Sequence, residues 1–267
     1  MIGFQKFFLP ILTSNGESAW PELFPVEKID ELRKTVGEHQ FMAQMMLEFT
    51  PLEKMRLDPG MIQIYDDSFD KLTAEIGSYK ITGAAVYWDP SLGNKHGDAS
   101  VCALIFRDDK NHNIFLHDIK YMVVPSDHPQ PLTYQCDIVL DFVEKYNLRR
   151  LSVETNGLGK ALPEILLDKI AMRGSGISIN KVNNTGKKET RILNTLEPLL
   201  GAARLFAHTR VTHTPFMAEM LGWSPVGGIG HDDGLDAVSG AINAIPIPIR
   251  ALGRGPTTYT ANTNFKI

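Results

Sequence analysis

A chain of 267 residues with 43% hydrophobic and 9% aromatic content can hold one large domain, or one domain plus an appendage, and is not a disordered polymer. A net charge of −4 excludes a free-standing, strongly basic nucleic-acid binder, and two distant cysteines, Cys102 and Cys136, exclude a disulfide scaffold or cysteine zinc site and fit a reducing cytoplasm. No apolar run is long enough to span a membrane, and Phe7–Leu12, interrupted by Pro10 and followed by no small-residue cleavage site, makes a poor signal peptide.

Residues 1–78 are acidic and punctuated by Pro10, Pro21, Pro25, Pro51 and Pro59. Helices are expected over Val26–Gly37 and His39–Phe49, the first closed by its glycine and the second before Pro51. Strand signals are nearly absent, so this stretch reads as a linker or appendage, with a boundary near Gly77–Tyr79. Three strands follow, Tyr79–Asp89, Ala99–Arg107 and Ile114–Val124, separated by loops containing Gly93-Asn94 and Asp108–Asn113. Such short connections favour an antiparallel meander. The pattern then alternates: helix Pro131–Tyr146 and strand Arg150–Glu154, helix Gly159–Arg173 and strand Gly176–Val182, helix Lys187–Leu200 and strand Arg204–Ala207. A last helix runs from about Asp233 to Ile245, and residues 247–267 read as a mobile tail rich in Pro, Gly, Thr and Asn. The expected fold is α/β, a mixed sheet of three antiparallel strands followed by αβαβ units and flanked by helices, over residues 79–246.

Three acidic stretches stand out on this frame. Asp89 ends the first strand and Glu154 the fourth, each leading into a loop with a glycine. Asp232, Asp233 and Asp236 open the last helix in the run HDDGLDA. An aspartate before Pro90 also suits a turn, and one before a helix also caps it. Capping needs one side chain, however, and Asp236 falls where the apolar stripe of Leu235, Val238 and Ala241 turns toward the core. Clustered carboxylates resist joint ionisation, a conflict that Mg²⁺ or Mn²⁺ resolves with oxygen ligands. Two such ions can clamp a phosphodiester for attack by water. Asp98 and His231 are further candidates to assist, beside the plainer readings of loop aspartate and helix cap.

Seven Lys and Arg lie between Arg173 and Arg210 against two Glu, so a basic segment separates two acidic motifs. Lys187, Lys188 and Arg191 begin one helix and could contact DNA backbone; a solvated outer face is the plainer alternative. Other chemistries lack support, since the chain has no Gly-x-x-x-x-Gly-Lys-Ser/Thr loop, Gly-x-Ser-x-Gly elbow or His-Glu-x-x-His helix.

In their order, these motifs resemble the nuclease domain of phage terminase large subunits, a ribonuclease H-like fold. The Asp-Pro-x-x-Gly loop at Asp89, continuing to Asp98, the strand-end acid Glu154 and the late Asp-Asp-x-x-Asp-Ala start at Asp232–Ala237 match the family's pattern. So do the helix beginning Lys187-Lys188-Glu189-Thr190-Arg191 and the stretch Trp20–Pro25, similar to the segment that joins packaging ATPase to nuclease. The resemblance implies a metal-dependent DNA endonuclease cutting concatemeric DNA, with two Mg²⁺ or Mn²⁺ ions held by Asp89, Glu154 and Asp233 and with Asp232 and Asp236 assisting. It implies double-stranded DNA, a packaging ATPase domain or chain, portal and small terminase subunit as partners, in the cytoplasm of a bacterial host. The family carries its ATPase before this region, whereas this sequence has no phosphate loop; a fragment, a split gene or a decayed prophage gene are the expected explanations. A catalytically silent DNA-binding or assembly module, and a nuclease resembling Holliday-junction resolvases, stay open as alternatives.

Overall fold

The structure is a computed structural model that describes residues 8–36, 38–48, 57–92, 99–125, 128–226, 231–245 and 247–248. Its centre is a mixed sheet. Strands β5 (Gly83–Asp89), β6 (Ser100–Asp108) and β7 (Asn113–Met122) form the antiparallel meander. Strands β8 (Arg150–Glu154) and β9 (Ser178–Val182) then extend the sheet in parallel beyond β5. On the other side, β10 (Leu205–His208) pairs in parallel with β7, and β1 (Gln63–Tyr65) with β10, giving the order β1-β10-β7-β6-β5-β8-β9.

Helices cover both faces because the strands are apolar on both faces. Tyr87, Val101, Ala103, Ile105 and Leu116 point to one core layer, closed by α5 (Lys188–Gly201), the short α6 (Thr209–Thr212) and α7 (Phe216–Gly222), and α8 (Asp233–Asn243). Their neighbours Val86, Trp88, Cys102, Leu104 and Phe106 point to the other, closed by α3 (Pro131–Lys145) and α4 (Leu162–Arg173). Complete alternation along β5 and β6 thus fixes which side chains share a face with α8.

The alternating units match their expected spans within a few residues. Helix α4 starts at Leu162 instead of Gly159 because Pro163 fits only its first turn, and Gly157–Lys160 forms a separate 3-10 turn.

The leader differs more. Helix α1 (Val26–Val36) forms where expected, whereas α2 (Glu38–Gln44) ends well before the expected Phe49. The reading of residues 1–78 as nearly free of strands is corrected, since Gln63–Tyr65 joins the main sheet and Leu57 and Ile62 are buried in its core. Residues 69–80 form a small antiparallel sheet of β2 (Phe69–Asp70), β3 (Glu75–Ile76) and β4 (Tyr79–Lys80). The two-residue turn Gly77-Ser78, with Gly77 at φ +55°, joins the last two. The boundary expected near Gly77–Tyr79 therefore falls inside this hairpin. At the far end, β11 (Ile247–Pro248) pairs with the start of β5; the rest of the expected tail lies outside the described residues.

Candidate metal centre

Parallel pairing aligns Tyr87 with Ser152 and Trp88 with Val153, so the next step brings Asp89 beside Glu154 at adjacent carboxyl ends. Both share the face that carries Tyr87, which is the face covered by α8. Close approach of that helix needs glycine: a Cβ at Gly240 would lie 2.5 Å from the Tyr87 ring. Helical phase then turns Asp236 inward, where it is 6% exposed. Oxygens of Asp89, Glu154 and Asp236 come within 4.8 Å of one another, the one such three-acid group among the described residues.

Each acid is held by its surroundings. Glu154 Oε2 accepts from the Tyr87 hydroxyl at 2.7 Å and from Asn184 Nδ2 at 2.8 Å, which fixes the carboxylate's direction. Burial, then the neighbouring Asp236 and Glu154 carboxylates, pushes the Asp89 carboxyl well above its ordinary range, with Lys188 opposing them. The same burial and the Glu154 charge drive the Tyr87 phenol upward, so it stays a proton donor to Glu154. Asp236 pairs with the Arg191 guanidinium, whose Nε lies 3.1 Å from Oδ1.

Asp233 and Asp236 differ from expectation in their placing. Asp233 Oδ2 accepts the backbone N–H of Ala99 at 2.7 Å, linking the helix start to β6, whereas Asp236 joins Asp89 and Glu154. Asp232 stands at the rim, 2.7 Å from Lys188 Nζ, and His231 is mostly exposed with Nδ1 3.9 Å from Asp233 Oδ2. Asp98 lies outside the described residues.

Lys188 and Arg191, candidates for DNA-backbone contact beside the plainer reading of a solvated outer face, both reach into the acids. Lys188 Nζ is also 3.6 Å from Asp236 and 3.8 Å from Asp233, and these carboxylates hold its ammonium above the ordinary lysine range although burial alone would lower it. The physical reason is charge: five carboxylates draw in the nearest cations on the facing helix. Lys187 remains exposed at the helix start.

No local sequence signal marks Tyr87, Asn184 or Glu219 as part of this site. Glu219 Oε2 accepts from the N–H groups of Gly234 at 2.9 Å and Leu235 at 3.3 Å. Burial raises its carboxyl to about 7 against these bonds.

A carboxylate triad of two buried acids and the half-buried Asp89, with two cations on its flank, suits a divalent metal, because the donors are all hard oxygens and the acids outnumber the cations. The strand order 3-2-1-4-5 within β5–β9, with acids ending strands one and four and a third on the last helix, defines a ribonuclease H-like fold. Residues 90–205 match the family model of the ribonuclease H-like domain of the bacteriophage T7 terminase. The matched segment is less than half of the chain. Glu154, Lys188 and Arg191 lie inside it, Asp89 just before it and α8 after it.

The chain is also similar to the large terminase nuclease domain of phage P22, at 14% identity and TM-score 0.49 over 71% of this chain and 91% of that one. It is similar to the large terminase nuclease of thermophilic phage G20c with bound magnesium, at 15% and 0.47 over 72% and 98%. The human cytomegalovirus terminase nuclease domain gives 14% and 0.45 over 62% and 85%. No curated protein matches the chain.

Proposed function

We propose that this domain is a metal-dependent endodeoxyribonuclease of a viral genome-packaging terminase, cutting concatemeric double-stranded DNA. The observation that carries the reading is the convergence of Asp89, Glu154 and Asp236. They would hold Mg²⁺ or Mn²⁺, with Asp233 and Asp232 available to a second ion. Bound there, the metal supplies charge stabilisation for the phosphodiester and lowers the pKa of an attacking water.

The chain's own groups prepare that site. Tyr87 and Asn184 fix Glu154 by two hydrogen bonds, so its second oxygen is left to the site. Arg191 and Lys188 offset part of the negative charge that would otherwise repel a phosphate. Exposed Lys187 is the residue of the basic helix left to contact DNA backbone, without reading bases. His231, at the rim, could contact phosphate or orient water.

The leader resembling the ATPase–nuclease connection, and partnership with a packaging ATPase, portal and small subunit in a bacterial cytoplasm, belong to the same proposal through the family. No helix among the described residues is long and apolar enough to cross a membrane. Incubation of supercoiled plasmid with the protein and Mn²⁺ tests the activity. Nicked and linear products are expected; their absence with folded protein at every concentration would sink the reading. One observation favours a silent module instead, namely that Lys188 and Arg191 already occupy carboxylates of the cluster. Metal titration separates the two, because a silent module need not bind the ion.

A further inference from the structure

Helix α8 begins with a sequence well suited to cap itself, yet it is capped from elsewhere. Asp232 stands at the N-cap, yet its side chain accepts no capping hydrogen bond from the helix's own N–H groups; its carboxylate lies against Lys188. Asp233 reaches across to the Ala99 N–H and Asp236 to Arg191. The N–H groups of Gly234 and Leu235, which no earlier turn can satisfy, donate instead to Glu219 Oε2 from α7.

The fit is tight. A Cβ at Gly234 would lie 1.8 Å from the Tyr121 hydroxyl and 2.7 Å from Glu219 Oε2, so any other residue there forces the helix or its neighbours to move. At the far end Gly240 lies against Tyr87, the same ring whose hydroxyl holds Glu154. The helix is therefore seated at two glycine contacts and held at its start by one carboxylate.

We infer that Glu219 is a positioning residue of the metal centre. By capping α8 from outside it sets the height of the helix, and so the place of Asp236 beside Asp89 and Glu154. It also releases Asp232 and Asp233 from capping for charge interactions at the site. This inference rests on the metal reading proposed above, and the test separates the two.

Mn²⁺ binding to the full chain is followed by titration calorimetry, with unfolding temperatures measured alongside. Glu219→Ala should weaken binding about tenfold or more, as loss of a group that orients a ligand does. Glu219→Gln, whose amide oxygen still accepts both N–H bonds, should stay within about threefold of the wild type. Leu166→Ala, in the opposite core layer, should lower the unfolding temperature without changing Mn²⁺ affinity, which separates positioning from general loss of stability. Unchanged affinity in Glu219→Ala overturns the inference, as does a loss in Glu219→Gln equal to that in Glu219→Ala. If Glu219→Ala does not fold, Gly234→Ala decides: weaker Mn²⁺ binding with Glu219 intact supports the seating, and wild-type affinity overturns it. Wild-type protein that binds no Mn²⁺ overturns the metal reading itself, and the positioning role with it.

Discussion

At the carboxyl ends of β5 and β8, the carboxylates of Asp89, Glu154, Asp232, Asp233 and Asp236 gather with two cations, Lys188 and Arg191. Where β1, β7 and β10 meet the end of α3, another group of ionisable side chains gathers around His117. There Tyr65 Oη and His117 Nδ1 are 2.8 Å apart, and Arg210 bonds His208 and the Tyr146 hydroxyl. Tyr146 and Lys145 in turn donate to Asp118. Both regions bury groups that titrate. In the second, every named group has a partner, burial and the Arg210 charge lower both histidine pKa values, and the Asp118 carboxylate faces Lys145 and Arg210. In the first, the acids outnumber their cations. An excess of buried like charge marks a ligand site, whereas burial of ionisable groups alone marks a satisfied core.

That contrast is testable by breaking each side. Asp89→Asn should reduce plasmid cleavage by more than about a thousandfold, because it removes a shared ligand and the charge that binds it. Its unfolding temperature without metal should equal or exceed the wild type, since carboxylate repulsion is relieved. A marked fall in stability would place Asp89 among structural residues instead.

The opposite pattern is expected at His117. His117→Ala should cost about 2–4 kcal/mol in a denaturant titration, as truncation of a packed, hydrogen-bonded side chain does, while Mn²⁺ affinity stays unchanged. The pH response sharpens this. Burial, then the Arg210 charge and His208, depresses the His117 pKa to about 3, against a pull from Asp118. An unfolded imidazole takes its proton near 6.5, so below that pH the unfolded state binds a proton that the folded state refuses. The stability due to neutral His117 is complete above about pH 6.5 and is lost progressively down to about pH 3. His117→Phe should therefore lose about 2 kcal/mol less than the wild type between pH 7 and 5. An identical pH slope in both would contradict the neutral, closed network.

Smaller effects are expected from the cations. Lys188→Met leaves the acids less compensated and should tighten Mn²⁺ binding by about tenfold, read by calorimetry. Weaker binding would mean that Lys188 supports the metal geometry. Lys187→Ala should reduce the salt dependence of duplex binding by about one unit and affect all sequences alike. An unchanged slope would make this helix start a solvated face.

The acids were legible because their signals are local. Asp89 and Glu154 end strands whose alternation is visible in sequence, and Asp236 is in phase with the apolar stripe of its helix. Periodicity could not say which way the basic face of α5 points. The spacing of Lys188 and Arg191 places them on one side, but only the packing of α5 against α8 turns that side toward the acids. Tyr87, Asn184 and Glu219 meet their partners across long sequence separations and follow no repeat. Strand β1, with three residues, is too short to show a period. The register irregularity near Leu104 and Ile105, where His117 is the extra residue on β7, has no sequence signature beyond the residue itself.

The central claim is that Asp89, Glu154 and Asp236 share a divalent cation. Anomalous scattering from crystals soaked in Mn²⁺ tests it most directly. The account predicts a manganese peak at about 2.0–2.3 Å from oxygens of all three side chains, ordinary coordination distances for such a hard ion. Well-ordered crystals with no peak among these carboxylates, or with manganese held only elsewhere, would contradict it.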